Sequence, residues 1–146
     1  MATVKQLLQA KKRPPCTIGP DAPVYDALKL MAAEEIGALL VVEGERLVGI
    51  ISERDYARKV ILHGKSSHDI PVRAIMTERV VCVAPERTVE ECMALMTDKH
   101  IRHLPVIEND RLVGVLSIGD LVKEKISQQQ FTIKQLESYI QSDYPT

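Results

Sequence analysis

The sequence predicts an α/β protein built from two copies of one β-α-β-β-α unit, followed by a carboxyl-terminal helix. Two observations carry this prediction. The chain matches itself when it is shifted by 65 residues, and strand-like and helix-like patterns follow one another in the same order in both copies. We therefore expect two sheets related by a pseudo-twofold axis.

The internal repeat sets the predicted domain boundaries. Residues 16–60 align without a gap with residues 81–125, and 14 of these 45 positions are identical. Further upstream the match is weaker, with "VKQLL" at 4–8 resembling "VRAIM" at 72–76. The predicted organisation is repeat 1 at 1–65, repeat 2 at 66–126 and a helical tail at 127–146.

Each repeat begins with a short extended piece, "CTI" or "VCV", and then turns at a proline into an amphipathic helix. Thr88 with Glu91 three residues later predicts a capping box at the start of the second of these helices. Two β-like runs follow, joined by "EGER" in repeat 1 and "ENDR" in repeat 2. Since Gly44 and Asn109 tolerate positive φ, both connections are predicted hairpin turns, and a further helix follows each hairpin.

Composition and charge limit the possible functions. The formal net charge of -1 lacks the basic excess of a protein held to nucleic acid through phosphates. The longest apolar run, at 36–42, is too short for a bilayer, and we see no signal peptide. Cys16, Cys82 and Cys92 lack paired metal-ligand spacing, which favours reduced thiols. We expect a soluble, cytoplasmic protein that binds neither nucleic acid nor membrane.

A serine and an aspartate three residues apart follow the last strand of each repeat: Ser52 with Asp55, and Ser117 with Asp120. In α/β units, ligands sit beyond the carboxyl ends of strands, where helix amino termini present N–H groups. Serine can donate to a phosphate oxygen and aspartate can accept from a sugar diol, so each pair suits a ribose phosphate. The alternative is that both pairs are helix caps. The glycines that would let a ligand approach the backbone are Gly49 and Gly114.

The duplicated plan, with "LVGIISERD", "LVGVLSIGD" and "IRHLPVIENDRLVG", resembles a pair of cystathionine β-synthase (CBS) domains over nearly the whole chain. This resemblance implies two clefts that in many members bind adenine nucleotides such as AMP, ATP or NAD(H). It also implies that the Ser-x-x-Asp pairs meet phosphate and ribose. Backbone and apolar groups near the first strand and around the start of the second hold adenine in this family. The matching positions are Thr17, Ile18, Ala38, Leu39, Cys82, Val83, His103, Leu104 and Pro105.

The repeats differ where phosphate charge would be neutralised. Arg102 and His103 stand where repeat 1 has Gly37 and Ala38. They directly precede a buried strand, where a charge without a partner is costly, so we expect them to meet phosphates. The contribution of His103 should fade as the pH rises through about 6.5, the pKa of an unperturbed histidine. Arg54 could reach a phosphate from the first helix, although a solvated surface charge is the alternative there.

Neither repeat offers an acid–base pair or an activated nucleophile, so we expect a nucleotide-sensing regulatory module rather than an enzyme. Its ligand would be an adenine nucleotide without a metal, and the protein it regulates would be a separate, unidentified chain. The alternative is a small metal- or redox-responsive protein that uses His100, His103 and the cysteines.

We also expect a homodimer, because CBS pairs in related proteins commonly form dimers. In the tail, Ile133, Leu136 and Ile140 lie at helical spacing. Such an apolar stripe must be covered by the rest of the chain or by a second copy.

Overall fold

The computed structural model describes residues 2–11 and 14–143 of the chain. Helices α1 and α2 span Val4–Ala10 and Val24–Glu34, α3 spans Glu53–Lys59, α4 spans Val89–Lys99 and α5 spans Ile118–Asp143. Strands β1 to β5 span Thr17–Ile18, Ala38–Glu43, Arg46–Ser52, His103–Glu108 and Arg111–Ser117. Two short 3-10 helices, Ile61–His63 and Val72–Ala74, lie between α3 and α4.

The first repeat has the predicted β-α-β-β-α order. Its three-stranded sheet has the order β1-β2-β3, with β1 parallel to β2 and β2 antiparallel to β3. The second repeat forms a two-stranded sheet of β4 and β5. Its "VCV" piece does not form a strand in the described chain, and only Val83 makes a bridge there. The counterpart β1 has just two residues, so this element is marginal in both repeats.

Both hairpin turns use left-handed backbone, as predicted. Gly44 has a φ of 62°, while Asn109 and Asp110 have φ values of 52° and 61°. Two consecutive residues with positive φ make the tight turn whose twist matches that of the flanking strands. Only repeat 2 has such a pair, because in repeat 1 Gly44 alone has positive φ and Glu45 does not. The two hairpins therefore turn with different backbone geometry.

The described chain divides into two compact units that do not follow the order of the repeats. The first unit contains Arg13–Cys82 and Pro105–Gly114, and the second contains Met1–Lys12, Val83–Leu104 and Val115–Thr146. The core of the first unit packs one face of α2 against its sheet. Buried side chains of the second unit come from α1, α4, α5 and the strands, and they include Val4, Val89, Cys92, Met96, Leu104, Leu116 and Leu121.

The first segment of each repeat packs with the other repeat. In the second unit, Val4 N–H donates to the Arg87 carbonyl at 2.8 Å, which fixes α1 at the start of α4. In the first unit, Val72 N–H donates to the Ala22 carbonyl at 2.8 Å. This bond fixes the 3-10 helix Val72–Ala74 at the start of α2. The weak sequence match between 4–8 and 72–76 thus reflects two structurally equivalent segments.

Candidate functional site

In the first unit, the serine–aspartate pair lies where the hairpin ends and α3 begins. Ala38 and Ser52 are cross-strand partners at that end. Ser52 Oγ accepts from the Asp55 amide at 3.2 Å, and Asp55 Oδ2 accepts from the Ser52 amide and hydroxyl, both at 3.0 Å. The pair therefore forms a capping box, so it stabilises the helix whether or not it binds a ligand.

The second carboxylate oxygen of Asp55 is also engaged. Asp55 Oδ1 lies 3.2 Å from Lys59 Nζ and accepts from Thr77 Oγ1 at 3.4 Å. Lys59 is held in place by a second bond, 2.8 Å to the carbonyl of Ile75. Because only 12% of the Asp55 side chain is exposed, a ribose hydroxyl would have to displace one of these partners.

In the second unit, the equivalent pair has the same cap but a different cation. Asp120 Oδ2 accepts from the Ser117 amide at 2.8 Å, and the Asp120 amide donates to Ser117 Oγ at 3.1 Å. Lys11, at the end of α1, donates to the same Oδ2 at 2.8 Å and to the Val115 carbonyl at 3.0 Å. Asp120 Oδ1 has no hydrogen-bond partner among the described residues, and 27% of the side chain is exposed. This carboxylate is the more available of the two.

Asp120 stays ionised in this setting. Burial by itself raises its pKa, but hydrogen bonds from Lys11 and the Ser117 amide and the charge of Lys11 together lower it below the ordinary value. The site therefore presents a negative oxygen that can accept hydrogen bonds from hydroxyl groups.

The sequence predicted that amides at the starts of α3 and α5 would be available to bind a ligand, but several of them already donate hydrogen bonds within the protein. The amide of Glu53 donates to the Gly37 carbonyl at 3.0 Å, and that of Ile118 donates to the Arg102 carbonyl at 2.8 Å. The third amide of each helix is bonded to the serine hydroxyl. A phosphate at either junction would consequently rely more on side chains than on backbone amides.

Gly49 has a packing role that the sequence did not reveal. A Cβ at this position would lie 2.8 Å from Met76 Sδ and 3.0 Å from the Thr77 carbonyl oxygen. The adjacent Ile50 exchanges two backbone hydrogen bonds with Thr77, at 2.8 and 2.9 Å. The missing side chain thus makes room for the chain itself.

The other residues expected to contact the nucleotide differ widely in exposure. Thr17 pairs with Leu40 on the neighbouring strand, which places it beside Leu39. The division of the chain puts Cys82, Pro105 and Gly114 in the first unit, and Ser117 and Asp120 in the second. Fully or nearly buried positions, which could offer only backbone groups, are Leu39, Val83, Leu104, Pro105 and Gly114. The half-buried positions are Thr17, Ile18 and Ala38, and the exposed ones are Arg54, Cys82 and Arg102.

His103 does not titrate as expected. It lies half-buried at the start of β4, and burial lowers its pKa below 6.5. The charges of Lys11 and Arg102 lower the pKa further, while Asp120 opposes them. The imidazole is therefore neutral at neutral pH, and the expected window around 6.5 moves to lower pH.

The described residues line a pocket in each unit. In the second unit, a pocket of about 470 Å³ is lined by α1 and the start of α5, including Lys11, Asp120, Lys123 and Glu124. In the first unit, a pocket of about 490 Å³ includes Cys82 and Asp110. Of the expected site residues, only Asp120 and Cys82 line these two pockets. The sequence did not predict that α1 lines the pocket of the second unit.

The structure offers little to the metal or redox alternative. The described residues contain no group of three or more histidines, cysteines, aspartates or glutamates placed to hold a metal ion. His100 ends α4 with a φ of 55° and is exposed. Burial raises the pKa of the Cys92 thiol, and desolvation by neighbouring groups raises that of the Cys82 thiol although the residue as a whole is exposed. A raised pKa lowers the reactivity of both thiols. No helix in the described ranges is long and apolar enough to cross a membrane.

A duplicated α/β unit with a capped serine–aspartate pair after each hairpin defines a class of small two-repeat modules. The sequence model of the CBS domain family matches residues 4–62 and 72–127 of this chain. The chain therefore belongs to the CBS domain family.

Proteins with CBS domains are among the known relatives of this chain. The chain is 45% identical over 129 residues to the mitochondrial CBS domain-containing protein CBSX3 of Arabidopsis thaliana, a match that covers 85% of this chain and 63% of that relative's length. Among solved structures, it is similar to a protein with CBS domains from Burkholderia ambifaria MC40-6. There the identity is 51% and the TM-score 0.80, with 90% of this chain and 99% of that chain covered.

Two solved structures of the family contain adenosine compounds. CBS domain protein PAE2072 from Pyrobaculum aerophilum is complexed with AMP; it is 29% identical with a TM-score of 0.71, and 81% of this chain and 88% of that one are covered. The CBS domain pair of protein MJ0100 is in complex with 5′-methylthioadenosine and S-adenosyl-L-methionine. It is 26% identical with a TM-score of 0.72, and the match covers 84% of this chain and 98% of that one.

Proposed function

We propose that this chain is a regulatory module that binds an adenine nucleotide or a related adenosine compound and carries out no chemistry on it. The observation that carries the proposal is Asp120, an ionised and partly exposed carboxylate at the end of the hairpin, whose Oδ1 has no partner in the described structure. The AMP and methylthioadenosine complexes of similar proteins support the choice of ligand class.

In this proposal, the ribose hydroxyls donate to Asp120 Oδ1 while Oδ2 keeps its place in the helix cap. Lys11 and Arg102 supply positive charge to the 5′ substituent of the ligand. His103 contributes through a neutral ring at neutral pH, because burial lowers its pKa. A ligand with phosphates, such as AMP, ATP or NAD(H), should then bind more tightly than an uncharged adenosine compound.

The two sites should fill unequally. Both oxygens of Asp55 are engaged by protein groups and its side chain is less exposed than that of Asp120. We infer that the first ligand binds at Asp120 and that occupancy at Asp55 requires the Lys59 contact to rearrange.

Regulation would follow from differential affinity. A ligand that binds one conformational state more tightly shifts the population towards it, and that shift would change the dimer or the contact with a separate regulated protein. The repeat boundaries at 65 and 126, the homodimer and the cytoplasmic location remain parts of this proposal.

A thermal-shift screen tests the ligand class. AMP, ATP, NAD, NADH, methylthioadenosine and S-adenosylmethionine would each be added to the full chain, with zinc as the probe for the metal alternative. A ligand present at a hundred times its Kd should stabilise the fold by about 2.7 kcal/mol. Stabilisation by zinc together with no response to any adenosine compound would contradict the proposal.

A further inference from the structure

The long helix α5 has two halves in different surroundings. Near its start, Leu121 is fully buried and Lys125 bonds to Glu90 of α4 at 3.1 Å. From residue 129 to residue 138 every side chain is exposed. An isolated helix of this length is marginal in water, so the second half needs a partner that would stabilise it.

A narrow apolar stripe runs along both halves. Val122, Ile126, Ile133 and Leu136 are 40%, 49%, 53% and 57% exposed. Their spacing fits the a and d positions of a heptad repeat, with Gln129 at the d position between them. Ile140 continues the spacing, although its side chain lies outside the described part of the chain. The stripe is of the kind that pairs with one other helix.

We propose that this stripe is covered by the same helix of a second copy, running antiparallel to the first. A homodimer with twofold symmetry requires a self-complementary surface. If one residue contacts a second residue of the other copy, the reciprocal contact also forms, so every such pair occurs twice. If Ile133 faces Gln129 of the second copy, Ile126 faces Leu136 of the second copy. The charges on one flank then match.

The matching flank consists of Lys123 and Glu137, both exposed. In the antiparallel register they lie at e positions opposite each other, so two Lys–Glu pairs form across the axis. In a parallel pair, each e position would lie next to a g position of the other copy. Glu137 would then contact Thr132 and could not pair with Lys123. Charge complementarity therefore favours the antiparallel arrangement.

This inference deepens the dimer of the proposed function but does not depend on nucleotide binding. Sedimentation of the full chain at micromolar concentrations tests it first. The wild type should be a dimer, and Leu136→Glu should raise the dimer Kd by about a hundredfold, because it buries an unpaired charge at the interface. Phe131→Glu is the matched control, since Phe131 is 63% exposed but lies on the opposite side of the helix.

A monomeric wild type would overturn both the dimer and the stripe pairing. A dimer that survives Leu136→Glu, or that is weakened equally by Phe131→Glu, would overturn the pairing of α5 alone. Neither result would bear on the thermal-shift screen, so the failure of one proposal can be told from the failure of the other.

The orientation has its own test. Lys123→Glu and Glu137→Lys should each weaken the dimer by about fivefold, and the double variant should restore it.

In a chain with Cys16 and Cys82 changed to serine, a mixture of Gln129→Cys and Ile133→Cys chains should form a disulfide between unlike chains. Cross-links between like chains would show parallel pairing and overturn the antiparallel register.

Discussion

At the residue scale, each candidate aspartate uses one carboxylate oxygen in a helix cap, and the two differ in what the other oxygen meets. One oxygen of Asp120 completes the cap of α5, and the other remains available. Structural and ligand-binding explanations of the Ser-x-x-Asp pattern are therefore compatible. What distinguishes the two copies is the cation beside the carboxylate, Lys59 in one unit and Lys11 in the other.

Lys11 should control the titration of Asp120. The folded-state pKa of Asp120 lies below its unfolded value, so its contribution to stability is present above the unfolded pKa, about 3.9, and is lost as the pH falls through the folded pKa. Lys11→Met should raise the pKa of Asp120 in the folded state and reduce this acid-dependent loss. NMR titration of the Asp120 carboxyl measures the shift.

The control for that titration is Lys5→Met, which removes an exposed lysine from the same helix. If both variants leave the pKa of Asp120 where it is in the wild type, the ion pair with Lys11 does not exist in solution.

Arg102 should discriminate between ligands by charge. Arg102→Ala should weaken AMP by about tenfold, as expected for loss of a charge-assisted hydrogen bond, while leaving methylthioadenosine nearly unchanged. The gain in AMP affinity from a charged His103 should appear only below pH 6.5, because burial lowers the pKa of the ring. Calorimetric titrations with both ligands at two pH values measure these effects. Equal losses for AMP and methylthioadenosine would indicate a packing defect.

At the scale of elements, local signals were predictable and distant contacts were not. Residues within a few positions of one another predicted the capping box of Thr88 with Glu91 and the hairpin turns at Gly44 and Asn109. The contact between Lys11 and Asp120 joins residues 109 positions apart, and no local pattern encodes it. The candidate site and Arg102 were predicted through family resemblance, but the pairing of each aspartate with a lysine was not.

Gly49 gives a test of packing within the first unit. Gly49→Ala should destabilise the fold by about 1–3 kcal/mol, because the Met76 side chain can move but the Thr77 carbonyl cannot. Gly19→Ala is the control, since a Cβ there has nothing within 4 Å. Urea denaturation measures both, and equal stabilities would show that the close approach at Gly49 does not constrain this position.

At the scale of the whole molecule, the two repeats keep their folding signals and differ in their ligand chemistry. The capping serine and aspartate and the strand valines are shared, whereas Arg102 and His103 replace Gly37 and Ala38. Repetition in the sequence therefore predicted the architecture well. It could not rank the two sites, because the ranking depends on which side chain pairs with each carboxylate.

The central claim is that Asp120 anchors the first adenosine ligand. Calorimetric titration of AMP into the wild type, Asp120→Asn and Asp55→Asn tests it most directly. We predict that Asp120→Asn weakens the first binding event by about tenfold to a hundredfold, the cost of losing a hydrogen bond to a charged group, while Asp55→Asn leaves that event nearly unchanged. Unchanged AMP affinity in a folded Asp120→Asn variant, or a larger loss in Asp55→Asn, would contradict the account.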